Sequence, residues 1–206
     1  MYKEPIAEGF YSENDQYFVK DIIKLSDSEI FIDGGAYTGD TIQQLLDEAA
    51  RQKVRIKKVL AFEPDEDNFK LLTKFYGKRD NIWIFRKGLS NRDAVLYFKS
   101  NGVTARIVEN EADSNSKIEV VSIDGMPECA DSTYIKMDIE GAEWDALHGA
   151  AETIKRNKPK LTICLYHSDE DMIRLIEYIH ELVPEYKLYI RHHSKSDVET
   201  VLYAIA

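Results

Sequence analysis

Short apolar segments alternate along most of the chain with segments whose apolar residues have helical spacing. The first pair is Ile30–Ile32, an uninterrupted apolar run, and Thr41–Arg51, whose apolar residues recur every three or four positions. Such a run is typical of a strand that is buried on both faces, as in parallel sheets. Parallel strands need crossover helices, which then cover the sheet. The alternation therefore predicts an α/β fold with a mainly parallel sheet.

The same reasoning predicts most of the remaining elements. We expect strands at 59–62, 82–85, 134–137 and 161–165, and helices at 65–76, 144–155 and 169–182. The last two strands, 187–190 and 200–205, have no helix between them, so they should pair antiparallel.

We predict a single domain over residues 29–206. Residues 1–28 are expected to form an N-terminal cover segment that is partly helical around residues 16–25. Residues 93–122 break the alternation with two β segments joined by a polar stretch, and we interpret them as a β insert.

Composition excludes several classes of partner. The 206 residues are 44% hydrophobic, which is enough to bury a core without staples. Acidic residues number 37 against 27 Lys and Arg, which argues against nucleic acid or an anionic membrane surface as a partner, because both attract cations. No apolar run approaches the roughly 18 residues of a spanning helix. Cys129 and Cys164 lack a disulfide or zinc pattern, so we expect a cytoplasmic protein.

Polar residues follow the predicted strands, where open α/β sheets bind their ligands. The loop after the first strand reads Asp33-Gly34-Gly35-Ala36-Tyr37-Thr38-Gly39-Asp40. Its glycines permit a sharp turn and a close approach of a ligand to the backbone. Glu63 directly follows the second strand, 24 residues beyond Gly39, a position from which a carboxylate accepts both ribose hydroxyls. Together the two loops predict a nucleoside-containing ligand.

The charge of the first loop narrows the choice of nucleoside. A pyrophosphate prefers the bare, positive end of a helix. Here Asp33 and Asp40 flank the turn, and two carboxylates repel phosphate but attract an ammonium or a sulfonium. S-adenosylmethionine carries both cations and no phosphate, so it fits better than a nicotinamide or flavin cofactor.

With these segments in view, the chain resembles the FkbM family of S-adenosylmethionine-dependent methyltransferases from about residue 16 to residue 206. The resemblance is carried by Phe31–Thr41, Ala61–Pro64, Ser122–Asp124 and Tyr134–Glu143. The run Ile-Lys-x-Asp-x-Glu-Gly-x-Glu in the last segment is the most specific. Tyr37 departs from the commoner loop, which has a glycine there; its ring lies over the methionine end of the cofactor or simply covers the loop.

The resemblance implies a Rossmann-like class I fold with a seven-stranded, mostly parallel sheet and a C-terminal antiparallel hairpin. It also implies O-methylation of a hydroxyl on a glycan or small natural product, with S-adenosylmethionine as cofactor. The predicted cofactor-binding residues are Asp33, Gly34, Gly35, Ala36, Tyr37, Gly39, Asp40, Thr41, Glu63, Pro64, Gly88, Leu89 and Asp138.

The catalytic and acceptor-binding residues are less closely specified. An aliphatic hydroxyl needs a base, and Asp138, Glu140 and His167 are the alternatives. Arg106, in the insert, and Glu143 are the candidates for binding the acceptor. We predict no metal, although Asp138, Glu140, Glu143 and His167 could supply ligands for a divalent ion.

Two other functions stay open at this point. The uncertain base and the short chain fit a non-catalytic module that binds S-adenosylmethionine. The glycine loop is also compatible with an NAD-dependent oxidoreductase. We expect a small-molecule or glycan acceptor as the partner, and the sequence does not indicate an oligomeric state.

Overall fold

The computed structural model describes residues 15–100, 105–108 and 116–206. Its elements are β1 (Glu29–Gly34), α1 (Asp40–Gln52), β2 (Ile56–Phe62), α2 (Glu66–Tyr76), β3 (Ile82–Phe85), β4 (Gly88–Leu89), β5 (Ala94–Ser100), β6 (Ala105–Val108), β7 (Ser116–Val121), β8 (Tyr134–Met137), α3 (Glu143–His148), α4 (Ala151–Asn157), β9 (Lys160–Cys164), α5 (Asp171–Leu182), β10 (Lys187–His192) and β11 (Thr200–Ile205). No helix in these ranges is long and apolar enough to cross a membrane.

The main sheet has seven strands in the order β10-β11-β9-β8-β1-β2-β3. All neighbouring pairs from β9 to β3 are parallel, whereas β11 is antiparallel to both of its neighbours. This confirms the predicted fold class and the C-terminal hairpin. From β1 the chain moves outward through β2 and β3, and it returns on the other side of β1 at β8. The boundary between β1 and β8 is therefore a topological switch point, where α/β sheets bind ligands.

Side chains of β1 alternate between two apolar cores, one on each face of the sheet. Ile30 and Ile32 belong to the core that α3, α4 and α5 cover, and Phe31 belongs to the core that α1 and α2 cover. The second core also includes the N-terminal segment, because Phe18 packs edge-on against Tyr134 with ring centroids 5.9 Å apart. Residues 15–25 are thus built into the fold.

A smaller sheet of four strands has the order β4-β7-β5-β6. Its strands β5, β6 and β7 fall within the stretch that the sequence analysis interprets as an insert. The sheet begins earlier, however, because β4 at Gly88–Leu89 pairs in parallel with β7. This pairing connects the end of β3 directly to the small sheet.

The predicted helix over 144–155 is wrong in one respect, since it is broken into α3 and α4. A Cβ on Gly149 would lie 2.0 Å from the backbone oxygen of Ser90, so the chain passes too close to that loop for any other residue. Asp124 then caps the second helix, because its carboxylate accepts hydrogen bonds from the backbone N–H groups of Glu152 and Thr153 at 2.9 and 2.8 Å.

The predicted helical character of residues 16–25 is also wrong. This segment consists of turns, with isolated backbone hydrogen bonds from Phe18 to Asp15 and from Ile23 to Val19. Its buried aromatic and aliphatic side chains are fixed by packing on the sheet, which overrides the weak local preference for helix.

Candidate functional site

A cavity of about 730 Å³ lies at the carboxyl ends of β1, β2 and β8, at the switch point. The small sheet closes one side of it with Leu96, Ile118 and Val120. The predicted cofactor-binding residues that line the cavity are Gly35, Tyr37, Asp40, Thr41, Glu63, Pro64, Gly88, Leu89 and Asp138. The structure therefore brings together residues from four separate loops that the sequence analysis selected.

The other predicted cofactor-binding residues, Asp33, Gly34, Ala36 and Gly39, do not line the cavity. Asp33 and Ala36 are fully buried. Gly34 still belongs to β1, and Gly39 is the residue immediately before α1. These four residues lie behind or beside the cavity lining, and their contact with the cofactor stays a prediction.

The glycines of the first loop are required by the packing of the protein itself. Gly35 has φ +74°, and a Cβ there would lie 1.9 Å from the backbone oxygen of Asp138. Gly39 has φ +96°, and its Cβ would meet the Tyr76 ring at 2.3 Å. Tyr37 also adopts a left-handed conformation, with φ 48°. It therefore keeps the backbone shape that a glycine would favour, and its side chain is 57% exposed beside the cavity.

Glu63 joins the loops that follow β1 and β2. It is only 6% exposed. One carboxylate oxygen accepts the backbone N–H of Tyr37 at 2.8 Å, and the other accepts that of Asp65 at 2.9 Å. Burial raises the pKa of Glu63, and the two backbone hydrogen bonds offset part of that rise. A carboxylate accepts about four hydrogen bonds, so Glu63 keeps acceptor capacity for a ligand in the cavity.

Asp33 forms a buried ion pair behind the glycine loop. It lies opposite Lys136 on the neighbouring strand, and the Lys136 Nζ is 3.1 Å from Asp33 Oδ1. The same ammonium donates hydrogen bonds to the backbone oxygens of Gly34 and Gly35 at 3.0 and 2.8 Å. Burial raises the pKa of Asp33 to about 6 against the opposing effect of Lys136. Asp33 thus fixes the position of Lys136, and Lys136 in turn fixes the backbone of the glycine loop.

Two phenols hold the carboxylate of Asp138. Tyr17 donates a hydrogen bond to Oδ2 at 2.7 Å, and Tyr166 donates one to Oδ1 at 3.0 Å. Burial alone would raise the pKa of Asp138, but the charge of Lys136 and the two phenol hydrogen bonds lower it below its usual value. Asp138 is therefore an oriented, ionised carboxylate at the wall of the cavity.

Neither tyrosine was assigned a role from the sequence. Tyr166 lies two residues beyond the end of β9, so the rule that strand ends carry the site could have identified it. Tyr17 also lines the cavity, yet it lies in the N-terminal segment, where no local pattern indicates a functional residue.

The three candidates for the general base lie together. His167 Nε2 is 3.4 Å from Asp138 Oδ1 and 3.7 Å from Glu140 Oε2. Asp138 and Glu140 line the cavity, whereas His167 lies behind them. Burial favours the neutral imidazole, but the neighbouring carboxylates, above all Glu143, raise the pKa of His167 over its usual value.

Glu143 is fully buried and does not line the cavity. Its carboxylate accepts the backbone N–H groups of Ile139 and Gly141 at 2.8 and 2.9 Å, which fixes the turn before α3. This arrangement differs from the predicted contact with an acceptor, because the turn wraps around the side chain. Arg106, the other predicted acceptor contact, belongs to β6, but its side chain lies outside the described residues.

The described lining of the cavity is strongly acidic. Its carboxylates are Asp40, Glu63, Asp65, Asp138, Glu140 and Asp145. Lys136 is the only cation among the described lining residues, and it is already paired with Asp33. Such a lining attracts a sulfonium and an ammonium and gives a pyrophosphate no cationic partner. The donor set fits S-adenosylmethionine.

Comparison with known proteins agrees with this assignment. Residues 33–193 match the family described as the methyltransferase FkbM domain. The structure of methyltransferase FkbM from Methylobacillus flagellatus KT is similar, with a TM-score of 0.77 and 30% sequence identity. The match covers 94% of this chain and 48% of that one, so this chain spans about half its length. No curated protein matches the chain.

Two more distant structures share the fold. Fibrillarin from Aeropyrum pernix, solved with natively bound S-adenosyl-L-methionine, has a TM-score of 0.54 at 12% identity over 95% of this chain and 75% of that chain. A Streptococcus mutans protein solved with SAH has a TM-score of 0.53 at 13% identity over 100% of both chains. At these identities the likeness concerns the fold alone.

Proposed function

Because the chain belongs to the FkbM family of S-adenosylmethionine-dependent methyltransferases, we propose that it transfers a methyl group to a hydroxyl of a glycan or small natural product. The observation that carries the proposal is the cavity at the switch point. On one side of the cavity Glu63 can accept hydrogen bonds from a nucleoside, and on the other side Asp138 and its neighbours supply carboxylates for proton transfer.

The cofactor-binding half of the cavity supports the first part of this proposal. When bound, the cofactor supplies a methyl group on a positively charged sulfur. Glu63 offers carboxylate lone pairs to the ribose hydroxyls, and Leu89 and Leu96 provide an apolar surface for the adenine ring of the cofactor. Asp40 and Asp138 lie where they attract the cationic end of the ligand. Holding the reactants in line is worth up to about 7–11 kcal/mol of the barrier.

The acceptor half supports O-methylation. Transfer forms a bond between the acceptor oxygen and the methyl carbon, breaks the carbon–sulfur bond and requires the hydroxyl proton to leave. Glu140 is the base that the geometry favours, because it lines the cavity and its side chain is 91% exposed. Asp138 is engaged by two phenols, and His167 lies behind the wall. A positioned base contributes about 10²–10⁴-fold in rate.

We also propose a small, non-nucleic-acid acceptor and a cytoplasmic location. The net charge of −10 disfavours phosphate-rich partners. Both cysteines, Cys129 and Cys164, are free and buried, as is common in a reducing compartment.

The test is transfer of radiolabelled methyl from S-adenosylmethionine to a panel of glycans and hydroxylated metabolites. We expect at least one acceptor to be labelled, and Glu140→Gln to lower the rate by about 10²-fold while SAH binding is retained. Glu66→Gln, an exposed carboxylate on α2, is the matched control. A folded protein that binds the cofactor but labels no hydroxyl acceptor would instead indicate a non-catalytic binding module.

A further inference from the structure

We propose that Asp138, Glu143 and His167 form a binding site for one divalent transition-metal ion at the cavity wall that contains Asp138. One donor atom from each residue lies within 4.8 Å of the other two. An ion with bonds of about 2.0–2.3 Å holds its ligand atoms at most about 4.6 Å apart. The three side chains thus already have nearly the spacing of a coordination sphere. The role of the ion rests on the proposed function, but its binding does not.

The buried imidazole of His167 is the observation that points to a ligand. Its side chain is 8% exposed, and neither ring nitrogen has a well-aligned hydrogen bond within the described part of the chain. Nδ1 nevertheless lies 2.9 Å from Glu143 Oε1, and Nε2 lies 3.4 Å from Asp138 Oδ1. Buried polar atoms in native proteins nearly always have a partner. A cation between the imidazole and the carboxylates would supply one.

Both carboxylates are held as metal ligands are. Asp138 accepts two phenol hydrogen bonds, and Glu143 accepts two backbone N–H groups. A carboxylate has about four lone-pair positions, so each retains lone pairs for a further partner. Hydrogen bonds to a ligating carboxylate fix its orientation, and their loss typically weakens metal affinity about 10–100-fold.

The donor set selects the class of ion. One imidazole nitrogen and two carboxylate oxygens suit Mn²⁺, Zn²⁺ or Fe²⁺ better than Mg²⁺ or Ca²⁺, which prefer oxygen alone. Three protein ligands leave coordination positions open, as in catalytic sites. Asp138 is the ligand that lines the cavity, and its side chain is 23% exposed. Asp138 therefore connects the site with the cavity.

Such an ion explains how a hydroxyl becomes reactive in this site. A bound cation acts as a Lewis acid and makes a coordinated hydroxyl more acidic. Its proton passes to the exposed carboxylate of Glu140 while the oxygen–methyl bond forms and the carbon–sulfur bond breaks. Asp138 and His167 then hold the ion, which leaves Glu140 as the base.

Titration calorimetry of chelator-treated full-length protein with Mn²⁺, and separately with Zn²⁺, tests the site. We expect one ion per chain. Binding should be at least about 10–100-fold weaker in His167→Gln and in Asp138→Asn, because losing a ligand costs no less than losing a residue that orients one. His148→Gln is the matched control, because this exposed imidazole of α3 stacks on Tyr178 of α5 and lies outside the proposed site. Circular dichroism and SAH binding establish that each variant is folded, and Asp138→Asn keeps the test open if His167→Gln does not fold.

Two results would overturn the site. One is folded wild-type protein that binds SAH but neither ion below about 1 mM, a free energy of about −4 kcal/mol; the cation between the side chains is then a proton on His167. The other is metal binding that survives both substitutions. Failure of SAH binding with metal binding intact would count against the proposed function and leave the metal site standing.

Discussion

The two sides of the cavity are held together in different ways. On the β1–β2 side, Glu63 binds backbone N–H groups that lie 26 and 2 residues away in sequence. On the β8 side, Asp138 is held by the side chains of Tyr17 and Tyr166, which lie 121 and 28 residues away. On the first side a carboxylate is held by backbone N–H groups, and on the second side a carboxylate is held by side chains, one of them 121 residues away. Backbone changes should therefore damage the first side most, and side-chain truncations the second.

The largest effect that we expect is that of Gly35→Ala. The new Cβ would lie 1.9 Å from a backbone oxygen, and φ is positive. The free energy of unfolding should fall by about 3 kcal/mol or more, measured by urea denaturation. Gly141→Ala, in the turn after β8, separates the two causes, because its φ is +95° but its nearest neighbour would be 3.8 Å away. Left-handed strain alone should cost about 1–2 kcal/mol there. Equal losses in both variants would mean that the close approach of Gly35 to the Asp138 backbone adds nothing to the cost of the substitution.

Next in size is the effect of Glu63→Gln on cofactor binding. The amide cannot accept the same set of hydrogen bonds, and replacing a charged acceptor costs about 1.5–3 kcal/mol. The affinity for SAH should fall by about 10–100-fold in calorimetry. The exposed carboxylate variant Glu66→Gln should bind SAH as the wild type does. Unchanged affinity in Glu63→Gln would place the ribose elsewhere.

Tyr17→Phe tests the other side with a smaller expected loss. It removes one hydrogen bond to an ionised carboxylate, so the free energy of unfolding should fall by about 1.5 kcal/mol. Tyr166→Phe should act similarly. The loss of unfolding free energy in the double variant should differ from the sum of the two single losses, because both phenols share Asp138. The partly exposed Tyr189, on β10, provides the control in Tyr189→Phe. If Tyr17→Phe were as stable as this control, the N-terminal segment would not hold Asp138.

Tyr37→Gly should have the smallest effect on stability. Relief of left-handed strain is offset by the greater freedom of glycine in the unfolded chain, so the free energy of unfolding should change by less than about 1 kcal/mol. Loss of an aromatic contact with the ligand should weaken SAH binding by about 0.5–1.5 kcal/mol. An affinity equal to that of the wild type would show that the ring covers only the loop.

The same difference explains how much the sequence could predict. Apolar periodicity predicted the sheet and its hairpin, and the position of the glycine loop and of Glu63 after the first two strands predicted one wall of the cavity. Gly149 weakens the helical pattern of 144–155, but the close contact with the distant Ser90 loop that accompanies the break is not visible in the sequence. The contact of Tyr17 with Asp138 likewise joins segments more than a hundred residues apart. The burial of Asp33 against Lys136 follows from strand register, which a single sequence does not show.

The most direct test of the account is calorimetry of the purified protein with SAH, S-adenosylmethionine, NAD and NADP side by side. We predict one site per chain for the first two ligands and no binding of the dinucleotides. Among the described residues of the acidic lining, the one cation, Lys136, is already paired with Asp33 and is not available to a pyrophosphate. Binding of NAD or NADP by folded protein that ignores SAH would contradict the account.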